Sequence, residues 1–307
     1  MVVAYNLSAR AYVTERVPMP VPPKSIVLHA PMFILAVATF SLWAGSALGA
    51  PFLFSTGDPD GRVATASRPG VGGKIEIETA DDFVLANAAT ITSASFTGLI
   101  PAGANVTEVI VEIYRVFPND SDTVRTPNVP TRSNSPSDVA FDSRDAGLGE
   151  LTFSTSVLST SFTAANSVLN GIHPMPNELT QGEGAVTGEE VMFSVNFNTP
   201  FTLGADHYFF IPQVALDSGD FMWLSAPRPI TGGTGPFVPD LQSWIRNEDL
   251  APDWLRIGTD IIGSPQGAAP TFNASFSLSG QQIPEPATLL LLGAGLVILW
   301  WGLKRKR

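Results

Sequence analysis

The run TFNASFSLSG, residues 271–280, alternates apolar and small polar side chains at every second position. Phe272, Ala274, Phe276 and Leu278 fall on one side, Asn273, Ser275 and Ser277 on the other. Successive side chains of an extended chain point to opposite faces, so a period of two marks a strand with one buried and one open face. Other segments share the habit. In 74–79, KIEIET, Ile75 and Ile77 alternate with charged neighbours. In 106–117, VTEVIVEIYRVF, the residues Val109, Val111, Ile113 and Phe117 share a face. Glu108, Glu112 and Tyr114 lie opposite, with Ile110 and Val116 half covering that side. EVMFSVNF (190–197) and HYFFIPQVAL (207–216) follow. Pro212 marks the second as edge-like, because proline has no amide hydrogen for a ladder. β-Branched and aromatic residues dominate these runs, and 27 Gly and 26 Pro punctuate them. No long helical pattern appears between the two ends. The expected fold is all-β, an antiparallel β-sandwich of jelly-roll-like character.

Both ends stand apart from this pattern. Residues 26–50 form an apolar run that closes on small residues, with Lys24 upstream and Ala47-Leu48-Gly49 in the small-x-small form of a cleavage site. Residues 1–50 therefore read as a signal peptide region, with a start at Met19 giving a conventional length. The exported body is 51–282. Cysteine is absent, so no disulfide framework, thiol chemistry or cysteine-based metal site is available. The chain has 17 Lys and Arg and 28 Asp and Glu. Three basic residues precede 51, four follow 303, and one acid lies at each end. The body keeps 10 basic and 26 acidic residues, a net charge of −16. A surface this acidic repels phosphate backbones, which argues against a nucleic-acid partner.

The C-terminal end is IPEPATLLLLGAGLVILWWGLKRKR, residues 283–307. Seventeen uncharged residues, 287–303, would span about 26 Å as a helix, the short limit for a bilayer core. Trp300 and Trp301 suit the membrane interface. Lys304, Arg305, Lys306 and Arg307 act as a membrane stop held on the cytoplasmic side. Pro284 and Pro286 keep a helix from running back into the body. Pro284, Glu285 and Pro286, followed by the apolar helix and the basic cluster, resemble the PEP-CTERM sorting signal of bacterial exported proteins. The resemblance implies an exosortase-type membrane protease as partner, an inner-membrane-anchored precursor, and then a cell-surface or extracellular destination. It also implies an association with extracellular polysaccharide. ADDFVL and DLQSWIRNEDLAPDWLRIGTD are similar to exported domains that precede the same tail, and that similarity supplies no functional residues.

Within the body, chemistry is sparse. His173 and His207 lie in different segments, neither in a metal-ligand pair, and read as structural. No Gly-x-Ser-x-Gly elbow accompanies them. The acidic loops GDPDG (57–61), NDSD (119–122), DSRD (142–145) and DSGD (217–220) offer paired carboxylates. Asp58 and Asp60 are the candidate ligands for one structural calcium, though such residues also favour plain turns. No other cofactor is expected. Trp244 and Trp254 bracket IRNEDLAPD and are candidates for stacking on a sugar ring, against core packing as the alternative. The expectation is a non-enzymatic surface or extracellular-matrix protein. A carbohydrate-binding module, an ice-binding module using a flat threonine face in 152–163, and a secreted hydrolase are the rivals.

Overall fold

A computed structural model describes residues 49–117, 133–172, 179–230, 232–233, 235–264, 267–284 and 295. The expected leader up to 48, His173, Glu285, Pro286, the expected membrane helix 287–303 apart from Gly295, and the basic cluster 304–307 lie outside the described residues. Among the described residues no helix is long and apolar enough to cross a membrane.

The strands begin with β1 (Pro51–Ser55), β2 (Val63–Ala66), β3 (Ile77–Leu85), β4 (Ala89–Ile100) and β5 (Val106–Arg115). Next come β6 (Asp142–Asp145), β7 (Leu151–Ala164), β8 (Asn166–Val168), β9 (Val186–Leu203) and β10 (Asp206–Leu216). The last are β11 (Met222–Ala226), β12 (Gly232–Gly233), β13 (Trp244–Asn247), β14 (Leu255–Arg256), β15 (Asn273–Ala274) and β16 (Phe276–Gln282). One π-helical turn, Ile257–Ile262, follows β14.

The fold is all-β, with two sheets whose pairings are antiparallel except for the short β2–β8 pair. The ten-stranded sheet runs β12-β1-β16-β4-β11-β2-β8, with β15 on β11, and with β9 and then β7 extending from β4. The six-stranded sheet runs β14-β13-β3-β10-β5-β6. The main core draws on both. Phe54, Phe96, Phe193, Val195, Phe276 and Leu278 come from the larger sheet; Phe83, Val109, Val111, Ile113 and Phe210 come from the smaller. Phe210 stacks on Phe276 at 5.0 Å between ring centroids, a contact between the sheets. Each such ring contributes roughly 1.5–3 kcal/mol by leaving water. Gly98 lets β4 pass close under Phe221, where a Cβ would lie 2.2 Å from the ring.

Two expectations about strands are corrected. Ile75 is 40% exposed and precedes β3, which starts at Ile77 and continues through ADDFVL with nearly every residue buried. Covered on both sides, β3 loses the alternation that marks a half-open strand. β10, expected at an edge, is flanked by β3 and β5. Its pairing with β3 ends at Phe210, two residues before Pro212, while the pairing with β5 continues. The Pro212 carbonyl accepts from Ser67 Oγ at 2.6 Å. Carbonyl and nitrogen of a strand residue point the same way, so the proline nitrogen faces the side that β3 has left. The proline is tolerated because the ladder ends locally.

At the other end of this arrangement the chain termini of the body meet. Gln282 donates from its backbone to Ala50 O at 2.8 Å, and Ile283 to Ala88 O at 2.6 Å. The first strand after the expected leader thus pairs with the last strand before the Pro-Glu-Pro motif, with no linker between β16 and Pro284.

Candidate functional site

The densest group of titratable side chains lies on the face of the six-stranded sheet turned away from the main core. Alternation places Glu78 on β3, Glu112 and Tyr114 on β5, Gln213 on β10 and Arg246 on β13. Residues 135–138 and 250–254 cover them. Arg246 anchors the group. Its Nε donates to Glu78 Oε2, Nη2 to the Tyr114 hydroxyl at 2.8 Å, and Nη1 to the carbonyls of Asp138 and Pro252 at 3.1 Å each. The guanidinium carbon lies 4.3 Å from the Trp254 ring centroid and 5.2 Å from that of Tyr114. The Tyr114 hydroxyl donates to Glu78 Oε1 at 2.8 Å and lies 3.4 Å from Glu112 Oε2.

Burial, and then the neighbouring Glu78 carboxylate, push Glu112 up to about 8, so it keeps its proton at neutral pH. The same two causes, in that order, raise Glu76, whose carboxyl accepts from Gln213 Nε2 at 2.9 Å. A carboxyl raised in this way beside a second carboxyl is the raw material of acid–base chemistry. Here, however, Glu78, Tyr114 and Arg246 are all buried, and their bonds go to the protein's own covering segments. The arrangement fastens those segments to the sheet.

The same geometry corrects the expectation for the tryptophans. Trp244 is 2% exposed and Trp254 3%. They belong to a small cluster with Ala80, Tyr114, Phe209 and Ile211 on this outer face. Trp254 Nε1 donates to Ser137 O at 3.1 Å, and its ring meets Tyr114 edge-on and Arg246 face-on. Faces so enclosed are not open to a sugar ring. Of the residues between the tryptophans, 245–247 complete β13, and the rest form the turn that folds Trp254 back over the sheet.

Elsewhere the acidic groups are engaged locally. His207 Nε2 meets Asp82 Oδ2 at 2.6 Å, and the imidazole stacks beside Phe209. Asp60 Oδ1 accepts from Arg62 N at 3.0 Å and from Ser225 Oγ at 2.5 Å, while Asp58 is exposed. Asp142 binds Arg144 at 2.5 Å. Asp217 accepts from Asn105, and Asp220 takes both Arg68 and Lys74 at 2.7 Å each. Those last two cations line an open groove of about 460 Å³ whose charge Asp220 and Asp217 balance. Among the described residues no three His, Asp or Glu side chains form a group that could hold a metal. The loop NDSD lies outside them.

The ten-stranded sheet presents a contrasting surface on its side away from the core. Ser55, Ser277, Ser95, Ser194 and Ser154 stand opposite one another across β1, β16, β4, β9 and β7. The next row is Leu53, Ser279, Ser93, Asn196 and Thr152 on the same five strands. Neighbouring strands lie about 4.8 Å apart, so the first row is a near-regular array of hydroxyl groups and the second carries hydroxyls at Ser279, Ser93 and Thr152. None of these residues is charged. Of the row only the pair at β1 and β16 is bonded within itself, Ser277 Oγ to Ser55 Oγ at 2.8 Å. The alternating serines of 271–280 pointed to one such strand. Nothing local in the sequence could show that five strands would align theirs.

The comparisons with known proteins concern the tail. The family model of the PEP-CTERM protein-sorting motif matches residues 282–306. The match supports sorting by an exosortase. The motif makes the precursor an exported, membrane-anchored one, processed by a membrane protein. The match begins at the last residue of β16, so the sorting motif is joined directly to a sheet strand. No curated protein and no solved structure matches the chain.

Proposed function

We propose that the body, 51–282, is a non-enzymatic component of the cell surface or extracellular matrix. The observation that carries this reading is the serine-lined face. Its two rows are uncharged and half-buried to exposed in a body of net charge −16, whereas Glu78, Tyr114 and Arg246 are buried in contacts that fasten the fold. The shared core of the two sheets supports a β-sandwich as the architecture. Residues 1–50 act as the signal peptide and 287–303 as the membrane helix before release. Lys304, Arg305, Lys306 and Arg307 are the stop.

The same face favours a second reading, contact with a neutral extracellular polysaccharide, because rows of hydroxyls can exchange hydrogen bonds with sugar hydroxyls without desolvating a charge. Ice binding would use a flat threonine array in 152–163, and β7 carries two register shifts there.

The test of the delivery is Glu285→Ala with a tag in the body, expressed in the host bacterium. Wild type should reach the surface or medium without its tail, and the variant should accumulate uncleaved in the inner membrane. If both keep the tail, the surface role falls. A screen of the released protein against neutral glycans tests the second reading, which fails if nothing is retained.

A further inference from the structure

The two sheets end in edges of very different quality. An edge strand displays unpaired amide and carbonyl groups, and stable proteins blunt such edges by making them short, charged or proline-bearing. β8, β12 and β14 are two or three residues long. β6 is the charged sequence Asp-Ser-Arg-Asp. β7 is neither short, charged nor proline-bearing, and its register shifts against β9 are its one blunting device. It runs 14 residues, LTFSTSVLSTSFTA, without a charge, a proline or a glycine, and among the described residues it pairs only with β9. Most of its side chains are exposed, including Val157 at 55% and Leu158 at 53%.

We propose that β7 is a self-association edge, pairing antiparallel with β7 of a second copy of this chain about a two-fold axis. Three observations select a second copy as the occupant. First, residues 154–161 read Ser-Thr-Ser-Val-Leu-Ser-Thr-Ser, the same order of residue types from either end apart from the Val157–Leu158 centre. Side chains of a regular strand alternate in face, but the register shift between Val157 and Ser159 brings Ser156 and Ser159 to the same face, opposite Met192 and Glu190. An antiparallel two-fold pairing about that centre therefore sets serine on serine, threonine on threonine and valine on leucine. Cross-strand hydroxyl and β-branched pairs of this kind are favourable, and a two-fold contact requires the same patch on both partners. Second, the register shifts against β9, between Val157 and Ser159 and between Ser159 and Phe162, fall at and just after this centre. Such bulges bend a strand, and here both apolar residues of the centre are turned to solvent. Third, copies with bodies of charge −16 repel, and an uncharged strand next to the uncharged serine rows is where that repulsion is least. The regular run Leu151–Val157 is by itself as long as an ordinary strand.

This pairing is independent of what the serine face contacts. It would join two ten-stranded sheets edge to edge and carry the serine rows across the junction. Because the bodies repel, association should strengthen as salt screens their charge.

The absence of cysteine makes the test direct. Single cysteines at Ser154, Thr155, Ser156, Val157 and Leu158 of the full chain, expressed in the host, should give disulfide-linked dimers on mild oxidation, with a maximum at the position nearest the axis. Ser143→Cys, exposed on the charged β6 edge, is the control and should give at least about tenfold less. Thr155→Lys with Val157→Lys, both at exposed positions, should reduce the dimer fraction of the released protein at least about tenfold, measured by light scattering. Its circular dichroism should match wild type. Equal cross-linking at β7 and β6, a monomer at all salt concentrations, or cross-links to a different protein would each overturn the proposal. So would a lysine pair that leaves the dimer intact, or one that only loosens the protein from polysaccharide.

Discussion

The two outward faces of this molecule are built on opposite principles. On the six-stranded sheet, charge is brought in and covered: Glu78, Tyr114 and Arg246 sit beneath residues 135–138 and 250–254, with the half-buried Glu112 beside them. On the ten-stranded sheet, the two rows of aligned residues from β1 to β7 carry no charge and are half-buried to exposed, while Glu190, Thr97 and the buried Leu99 lie further along the same face. A strand flanked by strands on both sides needs cover on both faces only if both carry groups that water alone does not satisfy. Serine hydroxyls are satisfied by water. A Glu–Arg pair beside two aromatic rings, once partly dehydrated, needs the remaining hydrogen bonds supplied by protein. The covered face is therefore where stability should be sensitive, and the bare face where binding should be.

Substitution at Arg246 should show the largest difference. Arg246→Met leaves Glu78 buried without its cation and Asp138 and Pro252 without their donor, which should cost about 3–5 kcal/mol in denaturant unfolding. A loss below about 1 kcal/mol would mean that the cover is not held by this network.

Smaller and pH-dependent is the effect of Glu112. Its folded-state value of about 8 lies above the ordinary 4.5 that it has when unfolded. Between those limits the folded chain binds more protons than the unfolded one, so stability falls as pH rises through that window and levels off above it. Glu112→Gln should flatten the fall and make the protein more stable than wild type near pH 9. Glu76 and Asp81 are raised in the same direction, so part of the slope should persist. An unchanged slope in the variant would assign the pH response to those groups instead.

On the bare face the effects should be the smallest. Ser95→Thr and Ser194→Thr should shift stability by about 0.5 kcal/mol or less, the range of surface changes that break no buried contact. A larger loss, read from thermal unfolding, would show that the serine rows are packed against something and would end the contrast between the faces.

How far the sequence led differs between these regions. The alternation in 106–117 placed Val109, Val111 and Ile113 in the core and left Glu112 and Tyr114 opposite, as observed. The same pattern could not say that Glu78 and Arg246, distant in sequence, would close over that side, because pairing of β3 with β13 is a tertiary event. Trp244 and Trp254 left sugar stacking and core packing both open because their sequence neighbours are polar; chain reversal after Asn247 folds Trp254 back over the sheet that carries Trp244. β10 looked like an edge because proline is excluded from two-sided ladders, and only the end of the β3 pairing at Phe210 reconciles the two.

By itself the sequence determined the strand class of the body, its cysteine-free and acidic character, and the sorting motif. Each is encoded within a few neighbouring residues: side-chain period, composition, and a contiguous Pro-Glu-Pro with its flanks. Tertiary structure alone decided which strands are neighbours. That choice turned scattered serines into rows, set an acid of about 8 beside a buried ion pair, and left the long uncharged strand β7 at an edge. Register between distant strands follows from how the whole core packs, which no short stretch of chain contains.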